Sequence, residues 1–192
     1  CCGFPVITYW ASGDLRLSTC TPADCSGAPA PTTVDGNGGT VPHMVFDSTG
    51  RPVIAYLVPA STTGRIVHCG NYSCSSGNTY NDFGASPGIT YGTLSVALDL
   101  SGFPMILYAW FATNYVDTTR YVHCNDPNCS GGDEAYFDIG PGRDSHSHAI
   151  ELSPTGRPVM LHGGYNFDQY HGLGVISPLD PNLSQRTPAA LF

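Results

Sequence analysis

The 192-residue sequence contains no lysine. Its 7 basic residues are all arginine, and its only glutamates are Glu134 and Glu151. Charged residues make up 11% of the chain, and the formal net charge is −8. Nucleic-acid backbones and anionic bilayers both need clustered cations, so neither is an expected partner. No apolar run reaches the ~20 residues that cross a bilayer. Strong helix formers are scarce, and no 3.6-residue periodicity competes for any segment. A nucleophile elbow, a metalloprotease helix, a phosphate loop and a kinase signature are all absent. Nor does any spacing nominate a carboxylate pair for glycoside hydrolysis. The expectation is a protein without catalytic residues or cofactor. No secretory signal is visible, and a chain that begins at Cys1 reads as a processed or excised product.

What is present is repetition. Gly3-Phe4-Pro5-Val6-Ile7 returns as Gly50-Arg51-Pro52-Val53-Ile54, as Gly102-Phe103-Pro104-Met105-Ile106 and as Gly156-Arg157-Pro158-Val159-Met160. A period near 50 residues marks an array of supersecondary units. The units run approximately over 1–42, 43–94, 95–147 and 148–192. In the clearest one, Val96-Ala97-Leu98 reads as a strand and Asp99 to Gly102 as a tight turn, with Asp bonding its own downstream backbone. Pro104 opens a second strand, and Met105 to Tyr108 is apolar throughout, as in a strand buried on both faces. Arg120-Tyr121-Val122-His123-Cys124 gives a third strand, matched by Arg16–Cys20 and Arg65–Cys69. Tyr136-Phe137-Asp138 gives a weaker fourth, with Thr33-Val34-Asp35 and Tyr80-Asn81-Asp82 in similar places.

Four short antiparallel strands per repeat predict an all-β fold, a β-propeller-like array of about four blades. A solenoid usually has a shorter period, and a sandwich lacks such internal repetition. The strand before the turn occurs only at Met44–Phe46, Val96–Leu98 and Ala149–Leu152, so the first blade is incomplete. The tail Thr187–Phe192 is one candidate to close it. The last repeat has Ser177 where a cysteine is due.

Cysteine is plentiful, with 8 residues. Cys20/Cys25, Cys69/Cys74 and Cys124/Cys129 share one C-x4-C spacing. Each pair sits in its own repeat, which favours three local disulfides over a zinc site with converging pairs. Each small ring adds about 2 kcal/mol in the chain-entropy model. The expected setting is secreted or cell-surface. Cys1 and Cys2 remain over. Adjacent Cα atoms are about 3.8 Å apart, short of the roughly 4.4–6.8 Å of ordinary disulfides, so an intermolecular link is a serious candidate for them.

The strings Leu98-Asp99-x-Ser101-Gly102-x-Pro104-x-Ile106-x-Tyr108 and Val122-His123-Cys124-Asn125-Asp126-Pro127-Asn128-Cys129 resemble a tandem repeat of large secreted bacterial proteins. That repeat reads approximately A-L-D-S-S-G-N-P-V-I-S-Y, then L-x-x-x-H-C-x-D-x-x-C. The core is also similar to NHL and sialidase-like blades. The resemblance covers almost the whole chain and implies a propeller-like fold in an extracellular setting. It implies no activity, and the Trp that ends a sialidase Asp-box is lacking.

Several residues carry candidate chemistry. Tyr9, Tyr56, Tyr108 and His162 share one repeat position, and with Trp10 and Trp110 they are candidate glycan contacts; the competing reading packs them between blades. Arg16, Arg65 and Arg120 each precede a cysteine pair by four residues and suit pairing with a repeated acid such as Asp47 or Asp99. His68 and His123 read as strand-surface positions. His146 and His148 form a small cluster for which no third metal ligand is identifiable, so no metal site is expected. Asp126 and Asn128 suit a turn better than a Ca²⁺ site. Asn71, Asn128 and Asn182 begin N-glycosylation sequons.

Together these features predict a non-enzymatic extracellular structural or assembly protein. An open blade is a route to self-association by strand complementation, into oligomers or filaments, or to packing against neighbouring repeats of a longer chain. The alternative is a carbohydrate-binding, lectin-like module that takes glycans as partners.

Overall fold

The computed structural model describes residues 4–27, 30–58, 60–61, 63–85, 92–111, 117–132, 134–165, 171–176 and 190–191. Among them there is no helix, and every regular element is a strand. The first sheet has the order β1 (Val6–Ala11), β2 (Asp14–Thr19), β3 (Thr32–Asp35). The second is β4 (Thr40–Phe46), β5 (Pro52–Val58), β6 (Thr63–His68), β7 (Thr79–Ala85). The remainder is one seven-stranded ladder. It runs from β8 (Gly92–Leu98) through β9 (Pro104–Phe111), β10 (Asp117–His123), β11 (Ala135–Leu152), β12 (Pro158–Tyr165) and β13 (His171–Ile176) to β14 (Ala190–Leu191). All pairings are antiparallel.

The seven strands comprise two four-stranded units that share β11. Ala135 to Gly142 of β11 pair with β10, and Arg143 to Leu152 pair with β12. The sequence places a break between these units at 147/148; the backbone runs through it. The strands that open the second and third units begin at Thr40 and Gly92, ahead of the 42/43 and 94/95 boundaries. The C-terminal tail, expected as a candidate to complete the first sheet, pairs instead with β13 through Ala190 and Leu191. The first sheet has no strand equivalent to β4 or β8 among its described partners.

The units stack face to face, and the apolar second strand of each explains why. Ile54, Tyr56 and Val58 of β5 pack back on Leu15, Leu17 and Val34 of the first sheet. The alternate residues Val53, Ala55 and Leu57 pack forward on Leu94, Val96, Ile106 and Tyr108. β9 repeats the pattern, sending Met105 and Leu107 forward to Ile150 and Met160. A strand sandwiched this way is hydrophobic at every position, as β5 is, because neither face meets water. Each fully buried Leu or Ile contributes roughly 1.5–3 kcal/mol. The result is an all-β, propeller-like stack in which no sheet covers its own flanks.

The turn before each second strand repeats in atomic detail. Asp47 Oδ1 accepts from the backbone N–H groups of Thr49 and Arg51, both at 2.8 Å. Asp99 Oδ1 accepts likewise from Ser101 and Phe103, both at 2.8 Å. Ser153 takes the acid's place in the last unit and accepts from the N–H of Arg157 at 3.0 Å. The turn needs a left-handed residue, which Gly50 and Gly102 supply with φ of 79° and 83°.

The first strands of successive units are also tied side chain to backbone. His43 Nδ1 on β4 accepts the N–H of Val96 on β8 at 3.2 Å, and Ser95 Oγ on β8 accepts the N–H of Ile150 on β11 at 3.2 Å. Burial holds the His43 imidazole below its ordinary 6.5, with Glu151 pulling the other way. As pH falls below 6.5 the unfolded chain therefore binds the proton before the folded one does, and stability falls. Urea unfolding between about pH 7 and pH 5 is expected to show that loss, reduced in His43→Asn. An equal slope in both proteins would show that the His43 acceptor does not couple to folding.

Candidate functional site

Most of the repeated polar residues are structural nodes. His68 Nε2 donates to Asp47 Oδ2 at 2.9 Å, and His123 Nε2 donates to Asp99 Oδ2 at 3.0 Å. Each pair binds the third strand of a unit to its own turn. Burial disfavours ionisation of Asp47, but the Arg51 amide, His68, Thr49 and the Arg51 guanidinium outweigh it and hold the carboxyl far below its usual range. His68 also reaches the next unit, with Nδ1 3.0 Å from Asn128 Oδ1. The sequence reading treats these histidines as plain surface positions; the paired aspartate one turn away identifies them.

The arginines choose a different acid from the one the sequence suggests. Arg65 Nε donates to Asp82 at 2.6 Å and Arg120 Nε to Asp138 at 2.6 Å, each across the ladder to the fourth strand. Asp47 and Asp99 are taken by histidine and turn. Sequence alignment sets Asp35 beside Asp82 and Asp138, but the ladder sets Thr33 opposite Arg16. Arg16 turns to Asp14 at 3.0 Å. Asp35 instead leaves its sheet. It accepts from Tyr56 Oη at 2.7 Å and from the far guanidinium nitrogen of Arg65 at 3.1 Å, joining the first unit to the second.

Each cystine closes the loop after the third strand. Cys20–Cys25, Cys69–Cys74 and Cys124–Cys129 are bonded, with Cα–Cα distances of 4.7, 4.8 and 4.9 Å. The second cysteine of each ring is left-handed, with φ of 56°, 54° and 51°. Inside the third ring Asp126 accepts from the N–H groups of Asn128 and Ser130 and from Ser130 Oγ, a turn-forming role. Three cystines suit an oxidising compartment, as in secreted or surface proteins.

One aromatic pair behaves differently, because it is not repeated. Phe46, at the end of β4, stacks on Tyr72 inside the second ring with centroids 6.1 Å apart and planes 16° off parallel. Tyr72 Oη donates to the carbonyl of Phe4 at 2.7 Å, and Phe4 is itself exposed. The equivalents of Phe46 and Tyr72 in the third repeat are Leu98 and Pro127, and Ala23 holds the Tyr72 place in the first. A feature that packing does not copy is free to serve recognition. Sequence reasoning missed this shelf; the signal was the departure of Phe46 and Tyr72 from their own repeat.

The nominated residues divide clearly. Tyr56 and Tyr108 are sealed between sheets and touch no solvent, which corrects their nomination as glycan contacts. Tyr9, at the same repeat position, is only half-buried, with its hydroxyl 3.5 Å from Ser18 Oγ. Trp10 is 53% exposed at the end of β1. The side chains of Trp110, His146 and His162, and residues Cys1, Cys2 and Asn182, lie outside the described residues. His148 is flanked by the hydroxyls of Thr93 and Thr119. Asn71 binds Ser73, Ser75 and Ser76 within its own loop, and Asn128 is held by His68. Among the described residues no three His, Cys, Asp or Glu side chains gather as for a metal ion.

No family model matches this chain, and no curated protein matches it by sequence. Solved structures match by shape. A fucose lectin from Kordia zhangzhouensis, determined in complex with methyl-fucoside, superposes with a TM-score of 0.51 at 11% identity, over 79% of this chain and 96% of that one. A bifunctional GH43-CE protein of Bacteroides eggerthii gives 0.54 at 12% identity, over 98% of this chain but 27% of that one. The periplasmic gluconolactonase PpgL of Pseudomonas aeruginosa gives 0.47 at 17% identity, over 93% of this chain and 47% of that one. At such identities the first two likenesses concern the fold alone, an all-β propeller-like array.

Proposed function

We propose that this chain is a non-catalytic carbohydrate-binding module of an extracellular repeat protein. The observation that carries the proposal is the Phe46–Tyr72 stack, in which Phe46 is exposed and Tyr72 half-buried, built at positions where the other repeats have no aromatic. The two rings are nearly parallel, and Phe46 leaves apolar ring surface open to solvent, the kind of surface on which the C–H face of a sugar ring stacks. Polar groups for hydroxyl recognition adjoin it. The turn that follows Phe46 carries Arg51, paired to Asp47 at 2.8 Å with its side chain 42% exposed. The likeness to a fucose lectin supports the choice of methyl-fucoside as a first probe.

A glycan array followed by calorimetry tests this reading. Phe46→Ala and Tyr72→Ala are each expected to weaken binding about tenfold, the worth of one aromatic stack. Trp10→Ala, at the opposite end of β1, is expected to leave affinity unchanged. Loss only in Trp10→Ala would move the site to the other end of the sheet, and no binding to any glycan would remove the proposal.

A further inference from the structure

We infer that the two outer flanks of the array dock on each other between copies of the chain, head to tail. The argument starts from repeat equivalence. Ile7 and Tyr9 of β1 hold the places of Ile54 and Tyr56 in β5 and of Ile106 and Tyr108 in β9. Those four are fully buried because a preceding sheet covers them, whereas Ile7 is 50% exposed and Tyr9 only half-buried. At the other end, Val159 and Leu161 of β12 hold the places of Val53 and Ala55, and of Met105 and Leu107. These four are also fully buried, against a following sheet, while Leu161 is 37% exposed. Both flanks thus carry one half of an interface that the chain builds three times internally.

Polar groups point the same way. Tyr56 and Arg65 together grip the Asp35 carboxylate that arrives from the preceding sheet. Their equivalents on the free flank are Tyr9 and Arg16. Arg16 Nε is buried and has no hydrogen-bond partner in this structure. The first flank is therefore a receptor for a sheet of this same repeat type, and the last flank is such a sheet. The occupant is a second copy of the chain. Such a contact is heterologous: it closes into a ring or continues as a filament, depending on the rotation between copies.

Sedimentation velocity of the intact, oxidised chain tests this. Wild-type protein is expected to associate with rising concentration. Ile7→Glu and Leu161→Glu are each expected to remain monomeric, with association weakened at least about tenfold. Circular dichroism and the cystine count should match wild type, since both sites lie on the surface. The decisive arm is a mixture of the two variants. Each retains the flank that the other lacks, so the mixture is expected to form dimers and nothing larger. A monomeric wild type, variants that still associate, or a mixture that stays monomeric would each overturn the proposal. The first of these would leave the flanks to neighbouring repeats of a longer chain. Glycan binding at Phe46 and Tyr72 is read separately and is unaffected by either outcome.

Discussion

Replacing Phe83 with alanine is expected to destabilise the chain by about 3–5 kcal/mol, the range for removing a buried aromatic side chain. Phe83 is 1% exposed and lies between the second and third sheets. Its ring meets Tyr108 edge-on at a centroid distance of 5.5 Å. It also pairs directly across the ladder with Gly64 and covers the space above that glycine. A Cβ added at Gly64 would come within 2.3 Å of Phe83 Cε2. Gly64→Ala is therefore expected to be destabilising alone and nearly harmless in the Phe83→Ala background, where the clash is gone. That non-additivity identifies a coupled pair rather than two independent sites. Urea unfolding of the four proteins with cystines intact measures it. A cost below about 1 kcal/mol for Phe83→Ala would mean that the two sheets contribute little by packing here.

Asp35→Ala is expected to cost about 2–4 kcal/mol, because it leaves the buried Tyr56 hydroxyl without its acceptor and Arg65 with one partner fewer. The effect has a defined pH dependence. Burial tends to raise the Asp35 pKa, but the Tyr56 hydroxyl, the Asn37 amide and the Arg65 guanidinium prevail and hold it below the ordinary 3.8. Below 3.8 the unfolded chain binds a proton that the folded chain still refuses, so stability drops as pH falls through that window. Above it the contribution is complete. The gap between wild type and Asp35→Ala should thus be constant near neutrality and narrow in acid. Asp35→Asn keeps an acceptor for Tyr56 and should lose less. A gap that does not change with pH would show that the carboxylate's charge plays no part.

The contrast between these sites shows what a single sequence discloses here. Strand content, antiparallel pairing, the Pro-led buried strands and the ring-forming cysteines were legible, because each rests on local chemistry repeated at one spacing. The four equivalent Gly-x-Pro segments did lead into β1, β5, β9 and β12. Register was not legible. Asp35 looked equivalent to Asp82 and Asp138, yet Thr33 holds the place opposite the arginine, and Asp35, two residues further along, reaches the neighbouring sheet. Which residues face each other across a ladder leaves no mark in composition or periodicity. The continuity of β11 was hidden for the same reason, since a fourth strand that runs straight into the next first strand looks like two. The arginine partners were half legible: an acid was expected, and only the three-dimensional register says which.

The candidate site was the least legible part. Repetition drew attention to Tyr56 and Tyr108, which the stack then sealed inside. Phe46 and Tyr72 stood out only once the repeat positions they occupy could be compared in space.

Each cystine clamps a loop at both ends, with its second member held in the same left-handed turn in all three copies. The four residues between differ completely from copy to copy: Thr21-Pro22-Ala23-Asp24, Gly70-Asn71-Tyr72-Ser73, Asn125-Asp126-Pro127-Asn128. Such a clamp lets surface chemistry drift while the scaffold beneath stays put. The loops are cassettes, and rewriting one changes what it offers to solvent and to the neighbouring unit, as Tyr72 does toward Phe4 and Asn128 toward His68 and Asn81, while the buried strands keep their places.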